Sequence, residues 1–102
     1  MQDENLWNEL CRSMSWRELL NEYNEALLRI DRYTIANLEV DVPLAVREVC
    51  QRLIMLHGDV QRVASTKGML DQPAPLEAVK VIMRVVGRVR REVPLVEHLG
   101  NA

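Results

Sequence analysis

Aromatic residues are scarce in this chain, which has two Trp, two Tyr and no Phe among its 102 residues. Without Phe, a core must be built from aliphatic side chains, so we expect Val, Leu, Ile, Ala and Met to fill it. The C-terminal half has no aromatic residue at all. It therefore lacks the stacking platform on which proteins bind single-stranded nucleic acids.

Long apolar runs are also missing. No segment approaches the roughly 20 apolar residues that a membrane span requires, and the N-terminal MQDENLW lacks the basic-then-apolar layout of a signal peptide. Glycine and proline, four of each, lie mainly where periodic stretches stop, a distribution that favours ordered helices over disorder. We therefore expect a cytoplasmic protein that makes no membrane contact.

Residues that could bind a metal or carry out catalysis are few and scattered. Cys11 and Cys50 have no Cys or His at metal-ligand spacing, and neither His57 nor His98 has a second ligand three or four positions away. Cys50 lies in an apolar stripe, which raises the pKa of a thiol instead of activating it. No Gly-rich phosphate loop is present. The sequence thus predicts no metal, no cofactor and no enzymatic activity.

Apolar residues recur at alternating steps of three and four in three stretches, a pattern typical of helices that pack against one another. Ser15 and Glu18 form a Ser-x-x-Glu capping box at the start of one of them. The predicted elements are helices at about 3–13, 16–38, 43–65 and 76–93, a loop at 65–75 and a tail at 94–102. The predicted fold is all-α: one domain, residues 1–102, in which three main helices and a short N-terminal helix form a mostly antiparallel bundle with coiled-coil-like packing.

The stretch HGDVQRVASTKGML, residues 57–70, has glycines at Gly58 and Gly68 with small apolar residues between them. This spacing resembles the segment of Fis-type helix-turn-helix domains that leads into the turn, and the resemblance implies a DNA-reading helix immediately afterwards. Pro73 and Pro75 follow instead and prevent such a helix from starting. The better interpretation is a helix end, which Gly68 closes in a left-handed conformation.

Four cations recur at steps of four, four and three on the last predicted helix: Lys80, Arg84, Arg88 and Arg91. We call this set the basic stripe. Like charges stacked along one side of a helix repel each other, so an isolated helix gains nothing from it. Three interpretations remain open: a solvated outer face, a contact with an acidic protein, or a track for phosphates.

Two sets of apolar residues are candidates for a protein interface. Trp and Leu side chains near the N-terminus are of the types found at interface centres, and the last helix is apolar over a broader face than a small monomer covers easily. The predicted interface residues are Trp7, Leu10, Trp16, Val79, Ile82, Val86 and Val89. We expect a homodimer or an obligate hetero-complex.

These patterns favour a non-enzymatic binding protein, such as an adaptor, inhibitor, chaperone-like protein or regulatory subunit, which acts on a protein partner through helical surfaces. The alternative is a nucleic-acid-binding regulator or ribonucleoprotein subunit that uses the basic stripe. The net charge of −2 is too close to neutral to indicate a nucleic-acid binder by itself.

Overall fold

The computed structural model describes residues 14–96 and contains four helices in that range. They are α1 (Trp16–Ala36), α2 (Leu44–Met55), α3 (His57–Ser65) and α4 (Leu76–Glu92). The described chain is mostly helical and has no strand, which confirms a small all-α bundle. The helix predicted over 3–13 lies outside the described residues.

The start of α1 is held by its own cap and by the loop that precedes α4. The capping box is present: the Glu18 amide donates to Ser15 Oγ at 3.2 Å, and the Ser15 amide donates to Glu18 Oε1 at 3.1 Å. The amides of Trp16 and Arg17 donate to the carbonyls of Gln72 and Leu70, each at 3.0 Å. The first N–H groups of α1, which helix geometry leaves without partners, are therefore satisfied within the chain.

The helix predicted over 43–65 is broken at Leu56, so α2 and α3 are separate elements. In a continuous helix the Leu53 carbonyl would accept from the amide of His57. Here it accepts from the Leu56 amide at 3.2 Å and from the Tyr23 hydroxyl of α1 at 2.7 Å. Gly58, a weak helix former, is the second residue after the break.

Gly68 adopts the left-handed conformation predicted for it, with φ of +78°. Gly68 lies in the turn two residues beyond Thr66, the C-cap residue of α3, and not directly at the helix end. The next helix begins only at Leu76. No helix starts between Gly68 and Pro75, the place where the resemblance implied one.

Helix α4 is the centre of the bundle, since it packs extensively against both α1 and α2. It runs in the same direction as α1, because Ser15 bridges Pro73 just before α4 and Arg29 reaches the far end of α4. Helix α2 runs the opposite way. The rows of apolar residues at alternating steps of three and four, which we call the apolar seams, supply most of the core. Its buried side chains are Leu19, Leu20, Tyr23, Ala26, Ile30, Val46, Val49, Leu53, Val60, Ala74, Val79, Ile82, Val86, Val89 and Val93.

Arg29 fastens the end of α4 to α1. Its Nε donates to the Val93 carbonyl at 2.7 Å and its Nη2 to the Arg90 carbonyl at 3.0 Å. Carbonyls at the end of a helix have no partner within the helix and carry its negative dipole, so a guanidinium is suited to bind them. Pro94 follows and prevents α4 from continuing. None of the described helices is long and apolar enough to cross a membrane.

Candidate functional site

Four residues predicted to form a protein interface are buried inside the chain instead. Val79, Val86 and Val89 are completely inaccessible, and Ile82 is 6% exposed. The prediction is wrong for these four because α1 and α2 cover α4 on two sides, so its broad apolar face is used within one molecule. Trp7 and Leu10 lie outside the described residues.

Trp16, the remaining predicted interface residue, is partly buried at the edge of an apolar groove of about 230 Å³. We call this the Trp16 groove. It is formed between the end of α2, the start of α3 and the first turns of α4, and its lining residues are Trp16, Leu56, Asp59, Val60, Glu77, Ala78, Val81 and Ile82. Its open wall includes Val81, which is 47% exposed.

The basic stripe lies on the side of α4 that faces away from α1 and α2. At 100° per residue, its four cations fall within an arc of about 80°, opposite the buried valines. Arg84 and Arg91 are exposed, whereas Lys80 and Arg88 are half-buried. Within residues 14–96, no acidic side chain forms an ion pair with any of the four. The structure therefore brings the predicted residues together on one accessible surface, where no acid of the described range pairs with their charges.

Arg90 is one residue away from the basic stripe but has a different role. It points toward α1, where its guanidinium pairs with the Glu22 carboxylate. The sequence does not predict this pair, since the two residues are 68 positions apart and their contact depends on the parallel packing of α1 and α4. Glu22 and Arg90 each lie at the edge of the apolar face of their helix, and this position is the feature of the sequence that could have indicated the pair.

Gly87 lines an open cavity beside the basic stripe. The cavity has a volume of about 330 Å³ and is lined by Met83, Arg84, Gly87, Arg90 and Arg91. A methyl group at position 87 would meet one atom within 4 Å, an Nη of Arg91 at 3.5 Å, which is an ordinary contact. The packing of residues 14–96 therefore does not require glycine at position 87.

The groups considered for catalysis do not assemble into a reactive site in the described part of the chain. Burial raises the pKa of the Cys50 thiol, as its apolar position predicts, and so disfavours the reactive thiolate. His57 is exposed at the start of α3. Across residues 14–96, no three His, Cys, Asp or Glu side chains lie close enough to hold a metal ion.

Comparison with known protein families, curated proteins and solved structures finds no match to this chain. The surfaces described above are therefore the observations from which a function is proposed.

Proposed function

We propose that this chain is a non-enzymatic binding protein, an adaptor or regulatory subunit that recognises a protein partner through the outer face of α4. The observation that carries the proposal is the basic stripe. Its four cations share one accessible side of the bundle, and no acid among residues 14–96 pairs with them. The repulsion among them brings the folded chain no benefit, whereas an acidic partner would relieve it.

The same observation supports a second candidate, a nucleic-acid-binding regulator or ribonucleoprotein subunit. Cations at regular steps along a helix can contact successive phosphates, and such binding weakens steeply as salt rises. Two features favour a protein partner instead. The chain carries a net charge of −2, and no aromatic residue follows Tyr33 in its sequence.

A charge-reversal experiment tests the proposal. The wild-type chain and the double variant Arg84→Glu/Arg88→Glu are immobilised and exposed to native lysate, and the retained protein and nucleic acid are both quantified. The matched control is Arg47→Glu/Arg52→Glu, which makes the same change of charge at exposed positions of α2. We expect a defined protein to be retained by the wild type and the control but not by the stripe variant.

The outcomes separate the two candidates. Nucleic acid retained at about 50 mM salt and lost only with the stripe variant supports the second candidate in place of the first. Retention that is equal for all three chains, or absent for all three, contradicts both. Far-UV circular dichroism of each variant verifies that its helices are intact.

A further inference from the structure

Gly87 and the basic stripe break two local rules of helix stability on the same surface. Glycine inside a helix destabilises it relative to alanine because of its greater backbone freedom when unfolded. Like charges four positions apart repel each other. A side chain at position 87 would fit, and no acid of residues 14–96 pairs with the stripe. A feature that lowers the stability of a fold and makes no compensating contact within the chain is expected at a functional surface.

We infer that the ligand of this surface is an acidic α-helix of a partner protein, which crosses α4 at Gly87; this inference rests on the proposed function. The distance between packed helices depends on the side chains at their contact, so the missing side chain of Gly87 lets a second helix approach closely. Arg84 and Arg91, three and four positions away, flank that point of approach. Their planar guanidinium groups suit carboxylates that arrive from either side.

The spacing of the cations matches a helical partner. Lys80, Arg84 and Arg88 follow each other at rises of about 6 Å along α4, and acids four residues apart on another helix have the same rise. Met83 adds a partly buried apolar group to the lining of the cavity beside Gly87. An apolar group of this kind packs against side chains of a crossing helix but makes no favourable contact with a phosphate.

A second copy of the chain does not provide such a helix from its described residues. The exposed side of α1 mixes both signs, with Arg17 and Arg32 among its acids, and α2 exposes Arg47 and Arg52 beside Glu48. One row of α1 does carry acids at steps of four and three, namely Glu18, Glu22 and Glu25, but two of them are already engaged. Glu18 accepts from the Ser15 amide in the capping box, and Glu22 pairs with Arg90 of the same chain. The partner is therefore a different protein whose helix carries acids at steps of three and four.

The probe for this inference is an alanine-based helical peptide of about 20 residues, a length at which an isolated helix forms in water. Its glutamates are placed at steps of four, four and three. A second peptide has the same composition, with the glutamates distributed around the helix. Binding is measured by fluorescence anisotropy of the labelled peptides. We expect the patterned peptide to bind the wild-type chain about ten-fold more tightly, a factor that several exposed ion pairs together supply.

The decisive variant is Gly87→Ala, which keeps every charge of the stripe. We expect it to weaken binding of the patterned peptide about five-fold, because the added methyl group holds the helices apart. The same variant is expected to raise the Tm by about 3–6 °C, because alanine favours the helix. Gly58→Ala is the matched control. Gly58 lies in α3, where an added methyl group would meet no atom of residues 14–96 within 4 Å, and we expect unchanged binding.

Several results would overturn the inference. These are equal affinities for the two peptides, no binding of the patterned peptide, or unchanged binding by Gly87→Ala. Tighter binding of a DNA duplex of about 20 base pairs at the same salt concentration would show a different class of ligand. If Gly87→Ala binds normally while Arg84→Glu/Arg88→Glu loses its partner from lysate, the helix-crossing inference fails and the proposed function stands.

Discussion

At the scale of single residues, Tyr23 links α1 to the point where α2 ends. Its ring is completely buried, and its hydroxyl donates to the Leu53 carbonyl at 2.7 Å. That carbonyl lies at a helix end, where it needs a partner from outside its own helix. Burial raises the pKa of Tyr23 above its ordinary value of 10.0, so the neutral phenol that donates this hydrogen bond is the favoured form.

Replacing Tyr23 with Phe should lower the free energy of unfolding by about 1 kcal/mol at pH 7, the contribution of one buried hydrogen bond. The difference from the wild type should depend on pH. Because the folded pKa of Tyr23 is raised, its contribution is fully present below about pH 10 and is lost as the pH rises through the folded value. Urea unfolding of both chains at neutral and alkaline pH measures this.

Tyr33→Phe serves as the control for that experiment. Tyr33 lies on the same helix, and its hydroxyl makes no hydrogen bond to another residue of the range 14–96. The same change of side chain should therefore alter stability little. Equal losses in the two variants would show that the bond to Leu53 has no specific role.

At the scale of the helices, the ends are determined by contacts between elements that are distant in sequence. Helix α1 begins against the carbonyls of Leu70 and Gln72. Helix α4 ends against Arg29, and α2 ends where Tyr23 contacts it. The apolar seams alone do not define these boundaries, since a seam can continue past a break, as it does from Leu53 to Val60.

Replacing Arg29 with Ala should therefore fray the end of α4. We expect a loss of about 1–2 kcal/mol in the free energy of unfolding, because two carbonyls lose a charged donor. Hydrogen exchange of the Val93 amide, which donates to the Val89 carbonyl at 2.9 Å, should accelerate. Arg32→Ala removes an exposed arginine from the same helix and should change neither quantity. Unchanged exchange at Val93 in the Arg29 variant would contradict this role.

The features that the sequence predicts correctly are those that depend on local physics. The step of three and four placed the valines of α4 on one side and the basic stripe on the other, because both follow from helix geometry. The sequence does not predict a helix end that depends on a distant residue, such as the end of α2, where the Tyr23 hydroxyl donates to the Leu53 carbonyl. Glu25 lies four positions before Arg29, a spacing that suggests an ion pair, but Arg29 binds α4 instead. Gly87 was missed because a glycine within an otherwise periodic helix gives no pattern of its own.

At the scale of the whole molecule, α4 has the role of a central helix, covered by α1 and α2. This explains the broad apolar face from which a homodimer or obligate complex was predicted. A homodimer or obligate complex stays a prediction, but the apolar face of α4 is no longer evidence for it, because α1 and α2 cover that face. The outer side of α4 is the surface that we propose for a partner. A partner bound there contacts the element on which the packing of α1 and α2 depends.

This arrangement predicts that α1 and α2 lose stability together when α4 is weakened. Val86→Ala should lower the free energy of unfolding by about 2 kcal/mol, because it removes two buried methyl groups and leaves a cavity. Val81→Ala makes the same change on the same helix at a site that is 47% exposed, so both variants gain equally in helix propensity and only Val86→Ala loses core packing.

Hydrogen exchange at Leu20 in α1 and Val49 in α2 measures the effect. Both amides should lose protection by the same factor in Val86→Ala and change little in Val81→Ala. If α2 stayed protected while α1 opened, the two helices would be packing independently, and α4 would not be the element that unites them.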